Sequence, residues 1–283
     1  MKVHLIDGTY ELFRAYYGAP SKLSPSGKEV GATISFGRSL AHLLRTPGVT
    51  HVAVAFDTVI ESFRNDLFDG YKTGEGIEPE LWEQFPLVEK LTAALGVVVW
   101  SMIEFEADDA LATAAQRWQD HEGVEQMVIC SPDKDFAQCV NKHTVMWDRL
   151  RNRIIDADGV KDKFGVLPES IPDWLALVGD TADGIPGIPR WGAKSAAQVL
   201  AKFHHIEQIP LDAEKWSMKV RGMDTLVESL KVHKKEVLLY RKLATLRRDV
   251  PLKESLHDLQ WRGGSASSLN SLEKELGFKG FLS

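Results

Sequence analysis

Cysteine is almost absent: the 283-residue chain has two, at positions 130 and 139. That excludes a disulfide framework, and two thiols in a chain of this size point to a reducing compartment, so the cytoplasm is the expected location. Long apolar runs are missing too. No stretch reaches the ~18 apolar residues of a membrane span, and Asp7 interrupts the N-terminal segment before it can form the apolar stretch of a signal peptide. No internal repeat of solenoid length is evident. An excess of positive charge is also lacking: 34 Lys and Arg face 40 Asp and Glu, a net charge of −6. On its face that balance disfavours a polyanionic partner.

The distribution of charge is more informative than its sum. Residues 190–250 hold 13 Lys and Arg against 7 Asp and Glu, a balance of +6, so the rest of the chain carries −12. A basic C-terminal third beside an acidic remainder fits a phosphate-binding surface next to a cation-binding site; ordinary surface heterogeneity is the plainer explanation of the same figures. With 44% hydrophobic and 26% charged residues the composition is that of a globular protein, long enough for one large domain or two small ones.

Short apolar runs over residues 3–6, 52–56, 97–100 and 127–130 predict strands buried on both faces of a parallel sheet. Between them, residues 31–44, 80–95 and 107–118 predict helices, and the alternation predicts an α/β fold with a central, mostly parallel sheet flanked by helices. Residues 62–86 mix aromatics, charges and glycines and read as a surface excursion or a substrate-gripping loop. Beyond about residue 160 the pattern is helical: 168–178, 193–203 and one long basic helix over 225–246, with a Gly/Pro-rich turn at 179–192 and a flexible connection at 262–268.

Acids recur where this fold builds sites. Asp7 and Asp57 end the first two strands and Asp133 follows the fourth; in open α/β sheets ligands bind at the carboxyl ends of strands. Glu106, Asp108 and Asp109 open a helix, where one or two acids are explained by the macrodipole and a third is not. Asp135 sits two residues after Asp133. Asp180 and Asp183 lie past a helix C-terminus, where negative charge is unfavourable. Nine carboxylates gathered in one pit require cations. Ligation by oxygen alone suits Mg²⁺ or Mn²⁺, and so many acids exceed what one octahedral ion uses, so two or more ions are expected. The Gly-rich turn runs through Gly187, Arg190 and Gly192 into a helix opened by Lys194 and Ser195, an arrangement that exposes backbone N–H groups to a phosphate. Tyr71 and Lys72 lie in the 62–86 excursion. A lone Lys is most often merely solvated, and Arg14 and Arg64 stand no higher on their own.

Seven segments in one order resemble the 5′-nuclease (flap endonuclease) superfamily, in its bacterial and phage form: LIDGTYELFR (5–14), VAVAFD (52–57), SFRNDLFDGYK (62–72), FEADDALAT (105–113), ICSPDKDFAQ (129–138), LALVGDTADGIPGIPRWGAKSA (175–196) and KEVLLYRKLATLRRDVPL (235–252). They span roughly residues 3–255. The resemblance implies an α/β nuclease domain over 1–165, including a helical arch near 62–90, and a helical DNA-binding region over 166–283 with a helix–three-turn–helix module. It implies a first metal site at Asp7, Asp57, Glu106, Asp108 and Asp109, and a second at Asp133, Asp135, Asp180 and Asp183. Lys72 corresponds to an arch lysine that contacts the scissile phosphate, with Arg14 and Arg64 at recurrent basic positions near it. Tyr71, Gly187, Arg190, Gly192, Lys194 and Ser195 would grip DNA, with a potassium ion on the hairpin carbonyls. One departure is Glu75, at the place where relatives often carry a second basic residue three positions after the arch lysine.

The expected activity is divalent-metal-dependent hydrolysis of phosphodiester bonds at 5′ flaps and 5′ ends of DNA, leaving 5′-phosphate and 3′-hydroxyl, in replication and repair. Flaps, nicks and gaps are the expected partners, and the protein is expected to be monomeric. A PIN-type ribonuclease and a non-catalytic junction-binding protein are the alternatives, and both a free-standing enzyme and an excised domain fit the sequence.

Overall fold

The computed structural model describes residues 1–282. Its N-terminal half comprises β1 (Lys2–Asp7), α1 (Gly8–Gly18), α2 (Gly31–Leu44), β2 (Val49–Asp57), α3 (Pro79–Trp82), α4 (Phe85–Ala94), β3 (Val98–Met102), α5 (Ala107–Trp118) and β4 (Gln126–Cys130). The chain continues through β5 (Thr144–Asp148), β6 (Arg153–Ile155), α6 (Ala157–Phe164), α7 (Ile171–Val178), α8 (Ala193–Phe203), α9 (Met223–Val232), α10 (Lys234–Ala244) and α11 (Ala266–Leu276). Two units form. One contains Met1–Ser62, Gly74–Ser131 and the chain from Arg247 onward; the other contains Phe63–Thr73 and Pro132–Leu246.

The first unit is built on parallel strands in the order β3-β2-β1-β4. Val3, Leu5 and Ile6 of β1 and residues 52–56 of β2 are essentially inaccessible. These strands are apolar on both faces because both faces are covered: α1 and α2 pack on β2 and α4 on β3, while α5 lies against β1, β2, β3 and β4. The connections leaving β1 run outward to β2 and β3; the connection after β3 returns to β4 on the other side of β1. A strand order that reverses in this way opens a crevice at the carboxyl ends of β1 and β4. Phe36 against Phe56 (5.7 Å) and Trp100 stacked on Trp118 (6.3 Å) fill the space between layers.

Helices over 31–44, 107–118 and 193–203 lie where the apolar periodicity predicts them. The helix expected over 80–95 is two: Pro86 has no N–H to continue α3 and opens α4 in its first turn. Residues 62–78 contain no helix, so within the implied arch near 62–90 the helical part is the single turn of α3 and the start of α4; Gly70, Gly74 and Gly76 disfavour helix before them. The segment read as flexible at 262–268 instead starts α11, with the Ser265 side chain accepting from Ser268 N and Leu269, Leu272 and Leu276 buried.

The second unit holds the antiparallel pair β5–β6 and the helices α6–α10. Its core includes Trp191 and the fully buried Trp216, with the half-buried Phe203 edge-on to Trp216. The long basic helix expected over 225–246 is broken at His233 (φ −101°, ψ 26°), which closes α9 and opens α10. α10 packs along α7 while α9 faces the 213–216 turn, and one straight rod cannot do both. Asp173 on α7 is buried and accepts from His205 Nδ1 (2.9 Å), Ile206 N (3.3 Å) and Arg241 Nη1 (3.1 Å), which ties α7, α10 and the loop after α8 together.

Candidate metal centre and phosphate-binding hairpin

In the first unit, five acids sit at strand ends and one helix start. Asp7 closes β1 and caps α1: Oδ1 accepts from Tyr10 N (2.9 Å), and Oδ2 accepts from Ser131 Oγ (2.9 Å), just past β4. That bond spans the switch point of the sheet. Asp57 closes β2, and its Oδ1 accepts from Ala107 N (2.7 Å), which fixes the start of α5 at the carboxyl end of β2. Glu106 caps α5. Its Oε1 accepts from Ser62 Oγ (2.7 Å), and its own N–H donates to Asp109 Oδ2 (3.1 Å). Asp109 is fully buried and also accepts from Arg247 N at Oδ1 (2.8 Å), so both of its oxygens hold backbone. Asp108 is half-buried on the same turn. Arg14, on α1, ion-pairs with Glu11, one turn earlier.

The second unit gathers the other four acids on two turns. Asp133 caps a 3-10 turn over Lys134–Cys139, its Oδ1 accepting from Asp135 N (3.0 Å). α7 stops at Gly179 (φ +90°), and Asp180 and Ile185 then exchange both backbone hydrogen bonds (2.7 and 2.8 Å). The tight loop between them presents Asp180 and Asp183. Ligating oxygens of Asp135, Asp180 and Asp183 lie within 4.8 Å of one another. Asp180 is buried; its Oδ1 accepts from Ala182 N (3.0 Å) and its Oδ2 from Lys134 Nζ (2.7 Å). Asp183 Oδ1 pairs with Lys72 Nζ (3.0 Å), and its carbonyl accepts from Lys72 N (3.1 Å).

Asp135 differs from its neighbours. It is 5% exposed, and its Oδ1 has no hydrogen-bond partner. Burial, followed by the charges of Asp133, Asp183 and Asp180, pushes its carboxyl well above the usual aspartate range, with Lys134 opposing. A buried acceptor without a donor, facing two further carboxylates, fits a hard cation. The residues present therefore suit Mg²⁺ or Mn²⁺.

The 63–73 segment is held close to this loop. A Cβ on Gly184 (φ +72°) would stand 2.1 Å from the Gly70 carbonyl oxygen, an approach that only glycine permits. Tyr71 is buried, with Lys72 Nζ 5.6 Å above its ring. Arg64 is 1% exposed and donates to the carbonyls of Leu243 (2.8 Å) and Thr245 (3.2 Å) at the end of α10.

The Gly-rich turn leads into α8 as the spacing predicts. Gly187 (φ +70°) packs against the Val178 backbone, Arg190 (φ +74°) is exposed, and Gly192 caps α8. Ser195 Oγ donates to Gly192 O (3.0 Å) and accepts from Gly192 N (3.1 Å), while Lys194 stands exposed on the first turn. Sequence reasoning passed over Lys134, although a Lys flanked by two acids signals a counter-charge. It also passed over the hydroxyls of Ser62 and Ser131, for which sequence carries no signal.

Two family models match residues 2–267 of this chain: the 5′-3′ exonuclease N-terminal resolvase-like domain over residues 2–165 and the 5′-3′ exonuclease C-terminal SAM fold over 166–267. The chain belongs to the 5′-3′ exonuclease family. It is 36% identical to DNA polymerase I of Bacillus caldotenax over 99% of its own length, and spans about a third (32%) of that relative. It is 34% identical to a 5′-3′ exonuclease of Buchnera aphidicola subsp. Baizongia pistaciae, with 87% of this chain and 82% of that one covered. In fold it is similar to T5 5′-exonuclease with bound zinc ions (TM-score 0.69, 16% identity, 86% of this chain and 89% of that one). It is also similar to the catalytic core of Rad2 in complex with DNA substrate (TM-score 0.62, 15% identity, 98% and 88%).

Within the 5′-3′ exonuclease family's two modules, seven of the nine acids, from Asp7 to Asp135, fall in the resolvase-like part. Asp180, Asp183 and the hairpin fall in the SAM fold. Among the described residues no helix is long and apolar enough to cross a membrane.

Proposed function

We propose that the chain is a divalent-metal-dependent, structure-specific 5′-nuclease that hydrolyses phosphodiester bonds at 5′ flaps and 5′ ends of DNA, leaving 5′-phosphate and 3′-hydroxyl. The observation that carries this reading is the unpartnered, buried Asp135 Oδ1 facing Asp180 and Asp183. Asp133, Asp135, Asp180 and Asp183 form one ligand set in the second unit. Asp7, Asp57, Glu106 and Asp108 form another in the first, with Asp109 holding Glu106 in place through its backbone. Divalent cations bound to such sets polarise phosphoryl oxygens and lower the pKa of a water toward neutrality. Mg²⁺ is the proposed ion and Mn²⁺ its substitute, because every donor is oxygen.

The chain's own groups do the rest. Lys72, delivered beside Asp183, neutralises charge developing on the phosphoryl oxygens. Arg14, paired with Glu11 on the helix that Asp7 caps, adds positive charge there. Arg64 is buried under α10, which supports a role in holding the 63–73 segment, and the burial of Tyr71 supports a role beneath Lys72. Arg190, Lys194 and the exposed start of α8 grip duplex phosphates without reading sequence. Gly187, Gly192 and Ser195 shape that turn as a helix–three-turn–helix hairpin whose carbonyls take a potassium ion. Terminal nucleotides unpair to reach the acids, which costs a few kcal/mol and least at flaps. Buried free thiols at Cys130 and Cys139 support a cytoplasmic location; the protein acts as a monomer, with residues 1–165 as nuclease domain and 166–283 as DNA-binding region.

End-labelled 5′-flap, nicked, gapped and blunt DNA, with single-stranded RNA beside them, test this in Mg²⁺ and Mn²⁺. Flap-directed cleavage that EDTA abolishes is expected. Preference for RNA overturns the assignment in favour of a PIN-type ribonuclease, and binding in Ca²⁺ with no cleavage in Mg²⁺ leaves a junction-binding protein.

A further inference from the structure

The second unit carries a cation of its own among the acids. Lys134 lies between Asp133 and Asp135 in sequence, and its half-buried side chain turns to Asp180, across the ligand set, at 2.7 Å. Asp180 has its other oxygen on the Ala182 N–H, so both oxygens already accept. Lys72 covers Asp183 in the same manner. Four carboxylates and two ammonium groups sum to −2 when all are ionised, which one divalent ion balances.

The two lysines are not equivalent. Lys72 comes from the 63–73 segment, distant in sequence from the acids, and is the group we assign to substrate phosphate. Lys134 belongs to the 3-10 turn that also carries Asp135, so its backbone is placed beside the ligand set by the same turn. A divalent ion that takes Asp180 as a ligand meets the ammonium group at the same carboxylate, and two cations competing for one carboxylate weaken each other.

We propose that Lys134 is a resident counter-ion that occupies Asp180 in the metal-free protein and competes with the divalent cation for it, and so sets the cation concentration at which this ligand set loads. The inference rests on the metal reading above and adds to it a residue that tunes affinity without being a ligand. It has two consequences of opposite sign. Removing the charge of Lys134 leaves Lys72 alone of these two ammonium groups beside the four metal-free acids, so their repulsion grows and the fold loses stability in EDTA. The same change removes the competitor, so the cation binds more tightly.

The test is calorimetric titration of the full chain with Mn²⁺, alongside thermal melting in EDTA, for wild type, Lys134→Met, Lys134→Arg and Asp180→Asn. Lys134→Met is expected to bind Mn²⁺ about tenfold more tightly at this set, within the usual span of site-to-site coupling, and to melt lower than wild type in EDTA, with the gap closing at saturating Mn²⁺. Lys134→Arg keeps the charge and is expected within about twofold of wild type; if Lys134→Met does not fold, Lys134→Gln takes its place in the titration. Unchanged or weaker Mn²⁺ affinity in the neutral variants overturns the proposal, and weaker DNA binding alongside it reassigns Lys134 to phosphate. Failure of the underlying metal reading looks different: Asp180→Asn then titrates as wild type does. Loss of Mn²⁺ binding in Asp180→Asn with no change in Lys134→Met rejects the counter-ion alone.

Discussion

Replacing Asp135 by Asn should stabilise the metal-free protein. Its ligating oxygen lies within 4.8 Å of those of both Asp180 and Asp183. At that separation and an effective dielectric near 20, each like-charged pair repels by about 3.5 kcal/mol. Protonation limits the damage. The folded carboxyl is pushed above its usual value of 3.8, so the unfolded chain releases its proton first as pH rises. Stability is then lost through the window from the unfolded value up to the raised one, and the loss is complete above it. Taking up a proton at pH 7 against an unperturbed value near 3.8 costs about 4 kcal/mol, an upper bound on the penalty; at pH 5 that bound falls to about 1.5 kcal/mol. Asn carries neither the charge nor the proton. We expect Asp135→Asn to gain about 2–4 kcal/mol in EDTA near pH 7, or roughly 5–12 °C in Tm for a domain of this size, and less than half of that near pH 5. Saturating Mn²⁺ should shrink or reverse the order, because wild type gains the binding free energy and the variant has lost a ligand. Thermal melts at two pH values, with and without the ion, provide the measurement. A variant that melts no higher than wild type at pH 7 in EDTA, or a gap indifferent to pH, refutes the reasoning.

Three further outcomes follow from the structure. Gly184→Ala should cost about 1–3 kcal/mol, since the residue has φ +72° and its new Cβ would meet the Gly70 carbonyl at 2.1 Å; because the 63–73 segment must then shift, cleavage by pre-bound enzyme should fall more than DNA affinity, and a variant with wild-type melting and wild-type single-turnover rates contradicts this. Lys194→Ala should weaken DNA binding about equally for unrelated sequences and lower the salt slope by about one unit, measured by fluorescence anisotropy across a salt series; a sequence-dependent loss points to base readout instead. Ser265→Ala removes the side chain that accepts from Ser268 N at the start of α11 and should cost about 1 kcal/mol in chemical denaturation, whereas a truly flexible 262–268 connection would register nothing.

The legible part of the fold is the part where periodicity and burial agree. α2, α5 and α8 each present a continuous apolar stripe to a packed neighbour, so spacing alone bounds them. α11 carried the same signal in Leu269, Leu272 and Leu276, but the Gly/Ser-rich run before it reads as a linker, and a serine that caps a helix looks in sequence like one that merely fills a loop. β5 and β6 went unread for another reason. They are five and three residues long, with Arg149 and Arg151 between them and Arg153 opening β6, so composition there resembles a surface turn. The break at His233 has no local signature either, because it answers to where α7 lies.

For the candidate site, residue type and chain position pointed to nine acids, since Asp and Glu at strand ends and after a helix end are conspicuous; the structure brings ligating oxygens of three of them, Asp135, Asp180 and Asp183, within 4.8 Å of one another. What sequence could not disclose is which donors already use their oxygens. Asp109 and Asp135 look alike on paper: each is the last acid of a short acidic motif next to a helical turn. In the structure both are buried, yet both oxygens of Asp109 are engaged by the backbone of Glu106 and of Arg247, 138 residues along the chain, whereas Asp135 keeps an oxygen with no donor. The difference separates a carboxylate whose oxygens are both held by backbone from one with an oxygen left over. It depends on a contact between segments more than a hundred residues apart, which no local pattern encodes. Lys134 follows the same rule: its neighbours in sequence are two acids, but its partner is a third, 46 residues away at Asp180.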